Sequence, residues 1–421
     1  MRRLVALGLL GALALPAAAR DGRLEVILRK HRASLGPVVE RSEELRLQLL
    51  LATVVEPKDR PPRLERSGWR ADAEYFYPAS AIKLCAAVAA LEELGRSGAW
   101  RWEGDPHGDP LPGRRIPLPP EELLDARLVL DPVRPGEARR EGDPTNLERG
   151  AITVRHGIRK LALVSDNEAF NRLYDLVGQR PLNERMWAAG LQSVRVRHRL
   201  SVRLTPQENR RTPPVSLRLD QGLTLLFPER TSDLELDLPR IEGLDIGSSF
   251  REDDGRLIEG PVSFREKNRI SLADLQDLLV KLVRPDVELG TPGFELGEAQ
   301  RSLLVEALTQ LPRESQNPRY DPAQYPDEFV KFLLPGLRRA IPAERLRVTN
   351  KVGLAYGFSV ENAYVTDLET GRSFFLAGAL YTNADGVLND GVYEYDTLAL
   401  PFWADLGEVL ARELLLDSPT R

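Results

Sequence analysis

The run Ile82-Lys83-Leu84-Cys85-Ala86-Ala87-Val88-Ala89-Ala90-Leu91-Glu92-Glu93-Leu94 constrains this chain more than any other stretch. Its Ala and Leu content favours a helix, and a helix that is apolar around most of its circumference has to be enclosed by other elements. At its start stands Tyr77-Pro78-Ala79-Ser80-Ala81-Ile82-Lys83. Residues i and i+3 share a helix face, so Ser80 and Lys83 can meet side chain to side chain. A serine hydroxyl is a poor nucleophile until a base takes its proton, and a desolvated lysine can be that base. Only eight lysines (30, 58, 83, 160, 267, 281, 331 and 351) occur among 58 basic residues, so arginine is the default cation here. Arginine does not deprotonate in proteins, so a lysine kept beside a serine points to chemistry more than to charge. Taken alone, the same pattern also describes an N-capping serine followed by a lysine in the first turn.

A chain of 421 residues can bury a large core, and 42% hydrophobic with 29% charged residues is ordinary globular composition. The net charge of −5 offers nothing to nucleic acid or to an anionic membrane surface. Met1-Arg2-Arg3, the apolar run Leu4 to Leu15 and the small residues ending at Ala19 read as a secretory signal peptide over 1–19, cleaved after Ala19. The apolar run is too short to span a bilayer comfortably, and no later segment replaces it. The expectation is an exported, periplasmic or secreted, soluble monomer. Cys85 is the only cysteine and excludes an intramolecular disulfide. The four histidines show no metal-ligand spacing, so neither metal nor cofactor is expected, and His156 is assigned a solvated or capping role. No GxSxG elbow supports a Ser-His-Asp arrangement.

Along the chain, residues 22–42 read as an amphipathic helix, Leu45 to Val55 as a strand, and Gly68 to Tyr77 as a second strand leading to Ser80. Residues 100–150, rich in Pro, Gly and charge, read as loops and short elements. Leu217 to Phe264 is strand-like, with a hairpin at Asp253-Asp254-Gly255. Ser271 caps a helix over Leu272 to Val283, and Glu298 to Leu311 forms another. Leu346 to Asn350, Phe358 to Asp367 and Phe374 to Thr382 read as consecutive antiparallel strands, followed by a helix from Phe402 to Leu415. Strands at both ends with helices between imply an α+β domain over 20–421, with an inserted helical part.

Two further motifs follow in order. Ser165-Asp166-Asn167 lies between two helical stretches, where a loop can hold a hydroxyl and an amide at a cleft; alone, it reads as an N-cap. Lys351-Val352-Gly353 lies on a strand, where a lysine can anchor an anionic group and backbone N–H groups can face an oxyanion; alone, it reads as a strand-end cation. The order SxxK, SDN, KxG resembles the penicillin-recognising serine hydrolases, most closely the class A β-lactamase-like family. Phe76-Tyr77-Pro78-Ala79-Ser80, Leu163 to Ala169 and Leu333 to Pro342 support the resemblance. It covers roughly residues 24–415, with extra sequence at about 100–150 and 205–265.

That resemblance implies a five-stranded antiparallel sheet flanked by helices, with an all-helical subdomain. It makes Ser80 the acylated nucleophile and Lys83 its proton acceptor. Ser165 would pass a proton to the leaving nitrogen, and Asn167 would hold the substrate amide and Lys83. Lys351 would be the electrostatic anchor of a motif completed by Gly353, and the N–H groups of Ser80 and Leu354 the oxyanion hole. Two departures matter. Val352 stands where the family carries a hydroxyl, and the stretch Arg197 to Val202 lacks the glutamate that would activate a deacylating water. Glu208 comes later, in a stretch resembling a surface turn. Three readings follow: an acyl-enzyme hydrolase of a small-molecule β-lactam or related cyclic amide, a peptidase acting on D-alanyl cell-wall peptides, or a quiet binding protein.

Overall fold

The computed structural model describes residues 22–95, 120–133, 136–220, 222–238 and 240–416. The expected signal peptide over 1–19 and part of the 100–150 segment lie outside these residues. The fold is α+β. Six strands occupy five positions of one antiparallel sheet, in the order Leu346–Asn350 continued by Gly353–Ala355, then Phe358–Asp367, Ser373–Tyr381, Gln48–Val55 and Arg63–Trp69.

Both faces of the sheet are covered, which explains the unbroken apolar run Leu49-Leu50-Leu51-Ala52. Alternate residues of a strand point to opposite faces, so a strand buried on both sides needs no polar phase. Leu49 and Leu51 join a cluster with Trp403 and Leu337 from the helices Leu400–Leu414 and Leu334–Ala340. Leu50 belongs to the cluster of the Lys83–Gly95 helix, and Ala52 packs with Leu279 of the Leu272–Val283 helix. In the Lys83–Gly95 helix every residue from Lys83 to Leu94 is buried. Its two glutamates are satisfied at the far end: Glu92 accepts the Glu295 N–H at 2.9 Å and Glu93 pairs with the buried Arg185.

The N-terminal stretch is two helices, Arg23–Lys30 and Arg32–Val39, broken at His31, whose ring is bound to Glu413 of the C-terminal helix. The second strand lies earlier than the sequence suggests, at Arg63–Trp69. Tyr75, Phe76 and Tyr77 are all buried, and they descend to Ser80 as irregular chain. Ser271 does cap Leu272–Val283, through the Asp274 N–H. The hairpin around Asp253-Asp254-Gly255 joins Ser249–Arg251 to Leu257–Glu259.

The helices Val154–Leu163, Asn167–Val177 and Gln179–Ala188 form the inserted part around the Lys83–Gly95 helix. This part also carries a small sheet. Arg127–Leu130 pairs with Val215–Arg218, which pairs with Thr224–Phe227, so the two stretches of extra sequence meet each other. Among the described residues no helix is long and apolar enough to cross a membrane.

Candidate active site

Ser80 sits in a 3-10 turn, Ala79–Ile82, that runs directly into the Lys83–Gly95 helix. Ala79 before it has φ +45°, a left-handed conformation that a non-glycine residue keeps only when its surroundings enforce it. The neighbour packed against this turn is the strand Gly353–Ala355. A Cβ on Gly353 would lie 2.3 Å from the Pro78 carbonyl oxygen and 3.1 Å from the Ala81 nitrogen. Only glycine lets the two backbones approach this closely. Leu354 beyond it is exposed, with its backbone on the strand bordering the turn.

Ser165, at φ +59°, lies between the Val154–Leu163 and Asn167–Val177 helices. Thr153 caps the first helix through the His156 N–H, and Asp166 caps the second through the Ala169 N–H. The Val164 and Asp166 N–H groups both donate to the Lys160 carbonyl, at 3.2 and 3.3 Å, and so tied the loop holds Ser165 between two lysines. Lys83 Nζ donates to the Ser165 carbonyl and lies 3.2 Å from its Oγ. Lys351 Nζ donates to the same Oγ at 2.7 Å and to the Val352 carbonyl at 3.0 Å. Ser80 is half-buried, and its Oγ makes no hydrogen bond with another described residue.

Burial pushes the Lys83 pKa down to about 7, only partly opposed by the Asp166 charge. Burial, and then the proximity of Lys83, hold Lys351 well below the usual lysine range, with Glu361 acting in the opposite direction. A lysine near 7 has a substantial neutral fraction at physiological pH, and its lone pair can take a serine proton. With two lysines donating to Ser165 Oγ, the hydroxyl's own proton is left for a third group. This arrangement can move a proton from Ser80 through Lys83 and Ser165 to a leaving atom.

The structure thus brings Ser80, Lys83, Ser165, Lys351, Gly353 and Leu354 together. Asn167 departs from its expected contact: Lys83 Nζ donates to Ser165 and not to the Asn167 amide oxygen, and Asn167 Nδ2 donates to Ser201 Oγ at 2.8 Å. Ser201 has φ +53° and follows Leu200, whose backbone exchanges two hydrogen bonds with the Asn171 side chain. Val352 is a core residue in the cluster between the sheet and the C-terminal helix, so an apolar side chain suits its surroundings. Glu208 closes the capping box of the Pro206–Arg210 helix, accepting from the Thr205 N–H at 2.8 Å. His156 is not solvated: it is buried, with Nε2 against Thr145 Oγ1, and burial pushes its pKa down to about 4.

Sequence reasoning missed a charged network behind Lys351. Lys331 Nζ donates to the Leu308 and Val348 carbonyls, each at 2.7 Å, and to Asn350 Oδ1 at 2.9 Å. Asn350 Nδ2 donates to Glu361 Oε1 at 2.7 Å, and Glu361 Oε2 accepts the Phe332 N–H at 3.0 Å. All three residues are buried. The signal was available at Lys331, a charge set inside the apolar run Phe329-Val330-Lys331-Phe332-Leu333-Leu334, but not at Glu361, which Asn362 follows.

With the geometry established, comparison adds a family match. Residues 124–288 match the model of the "Beta-lactamase enzyme family". This stretch contains Ser165 and Asn167 but neither Ser80, Lys83 nor Lys351. No curated protein matches the sequence. Among solved structures, a β-lactamase from Desulfarculus baarsii is 17% identical, covers 92% of this chain and 98% of its own, and gives a TM-score of 0.44. A β-lactamase from Burkholderia ambifaria gives 16%, 91%, 99% and 0.46 for the same quantities. A PBP-A mutant, solved as an acyl-enzyme complex with penicillin G, gives 13%, 92%, 96% and 0.47. These likenesses concern general outline and say nothing of substrate. Among the described residues, no group of three or more His, Cys, Asp or Glu could hold a metal ion.

Proposed function

We propose that the protein is an exported serine hydrolase that opens a β-lactam or related cyclic amide through an acyl-enzyme on Ser80. One observation carries this reading: Ser165 Oγ is held by two buried lysines, one of them three residues beyond Ser80. Ser80 Oγ attacks the amide carbonyl carbon while its proton passes to the neutral Lys83 amine. The C–N bond then breaks, and the nitrogen receives a proton from Ser165, which is replenished from Lys83. The Ser80 and Leu354 N–H groups face the developing oxyanion, and Lys351 and Asn167 orient the substrate.

A second reading, a peptidase of D-alanyl cell-wall peptides that forms a long-lived penicillin adduct, is favoured by the engagement of Glu208 in its capping box. A carboxylate held by its own helix start is poorly suited to activating a deacylating water. A nitrocefin assay and intact-protein mass spectrometry on one sample separate the two. Steady turnover without a lasting adduct supports the β-lactamase, and a stable adduct without turnover supports the peptidase. Ser80→Ala should abolish either signal; labelling that survives this change overturns the Ser80 mechanism.

A further inference from the structure

A cleft of about 740 Å³ lies between the 197–210 loop and the turn that follows Gly353–Ala355, the strand that borders the Ser80 turn. That turn is Tyr356-Gly357, with φ +53° and +81°. Two-residue hairpin turns with both φ positive strongly favour Asn-Gly, so a tyrosine here is conformationally strained. Its ring is braced on two sides. Tyr77, three residues before Ser80, packs against it with centroids 5.3 Å apart, and Phe264 meets it edge-on at 5.4 Å. Lys267 Nζ stands over the ring, 5.6 Å from its centre.

The cleft has a surplus of positive charge. Lys267 and Arg210 both line it, and neither forms an ion pair with another described residue. Arg197 gives its guanidinium to the Leu236 and Asp237 carbonyls, which are uncharged. Of the two carboxylates on the cleft wall, Glu208 is engaged in its capping box, leaving Glu266. Lys83 and Lys351, by contrast, are both turned onto Ser165, and Val352 offers no hydroxyl for an anion.

We infer that this cleft is a subsite for a carboxylate carried on the substrate's acyl side chain, away from the scissile amide, paired with Lys267 beside the Tyr356 ring. The inference rests on the Ser80 acyl-enzyme reading for its substrate, but the subsite itself is tested without turnover. In Ser80→Ala protein, calorimetric titration compares benzylpenicillin with carboxybenzylpenicillin, which differs by one side-chain carboxylate. The second ligand should bind about three- to fivefold tighter at low ionic strength, in keeping with a partly exposed ion pair. Lys267→Ala should erase that preference and Lys267→Arg should keep it, both with unchanged melting temperature. Equal affinities, no binding of either ligand, or a preference surviving Lys267→Ala would overturn the subsite. Failure of benzylpenicillin to acylate the wild-type protein would instead count against the Ser80 reading, leaving the binding comparison intact.

Discussion

Two ammonium groups converging on one serine hydroxyl would repel, and at Ser165 both lysines are also stripped of water. The tension resolves if one amine is neutral; each donates two hydrogen bonds, which a neutral amine can satisfy, and the one three residues beyond Ser80 is Lys83. Its pKa of about 7 sets the sign of the pH dependence. Below pH 7 the protonated amine has no lone pair to receive the Ser80 proton; above it, the neutral form predominates. The rate of Ser80 acylation, followed by intact mass, should therefore rise with pH through about 7 and level off near 8. Lys83→Arg keeps a cation but removes the base, and should slow acylation by about 10²–10⁴-fold. If the Lys83→Arg variant still acylates at a near-normal rate, another group accepts the proton.

At the scale of elements, the site depends on how closely the Gly353–Ala355 strand lies against the Ser80 turn. Gly353→Ala would place a methyl 2.3 Å from the Pro78 carbonyl, so strand and turn must separate. Acylation should fall at least about tenfold, with about 1–3 kcal/mol lost from stability in denaturant melts, the usual cost of overpacking. Loss of stability with undiminished acylation would show that the separation does not reach Ser80. Locally encoded features were legible in the sequence: the Ser271 cap, the apolar period of Leu272–Val283 and the three late strands each carry their signal in a few adjacent residues. The approach of Gly353 to Pro78 was not, because nothing local at either residue specifies a partner so far away along the chain. The same is true of the Arg127–Leu130 pairing with Val215–Arg218 and of Asn167 turning to Ser201. In Tyr75-Phe76-Tyr77 β propensity pointed to a strand, and burial of all three rings overrode it.

Across the whole molecule, the Lys331–Asn350–Glu361 network ties together the Glu298–Thr309 helix, the edge strand and the chain that enters the Leu334–Ala340 helix. Lys331 reaches the end of the Glu298–Thr309 helix at Leu308 and the edge strand at Val348, while Glu361 holds Phe332 just before the Leu334–Ala340 helix. Asn350, the middle member, directly precedes Lys351, so the network sets where the edge strand delivers that lysine. Burial pushes Lys331 down and Glu361 up, each to about 7. The hydrogen bonds nevertheless favour the charged pair, since three acceptors surround the amine and both carboxylate oxygens accept. Removing one partner strands the other charge in the interior, whereas removing both leaves a smaller penalty. Glu361→Leu should therefore cost about 3–5 kcal/mol in denaturant unfolding, and Lys331→Met a similar amount. The double variant should be more stable than the two losses added together predict, a coupling of about 1–3 kcal/mol. Because the Glu361 carboxylate favours the charged form of Lys351 and Lys331 opposes it, Glu361→Leu alone should acylate more slowly than the double variant. Strict additivity of the two losses would mean that the lysine and the carboxylate act separately and that Asn350 does not couple them.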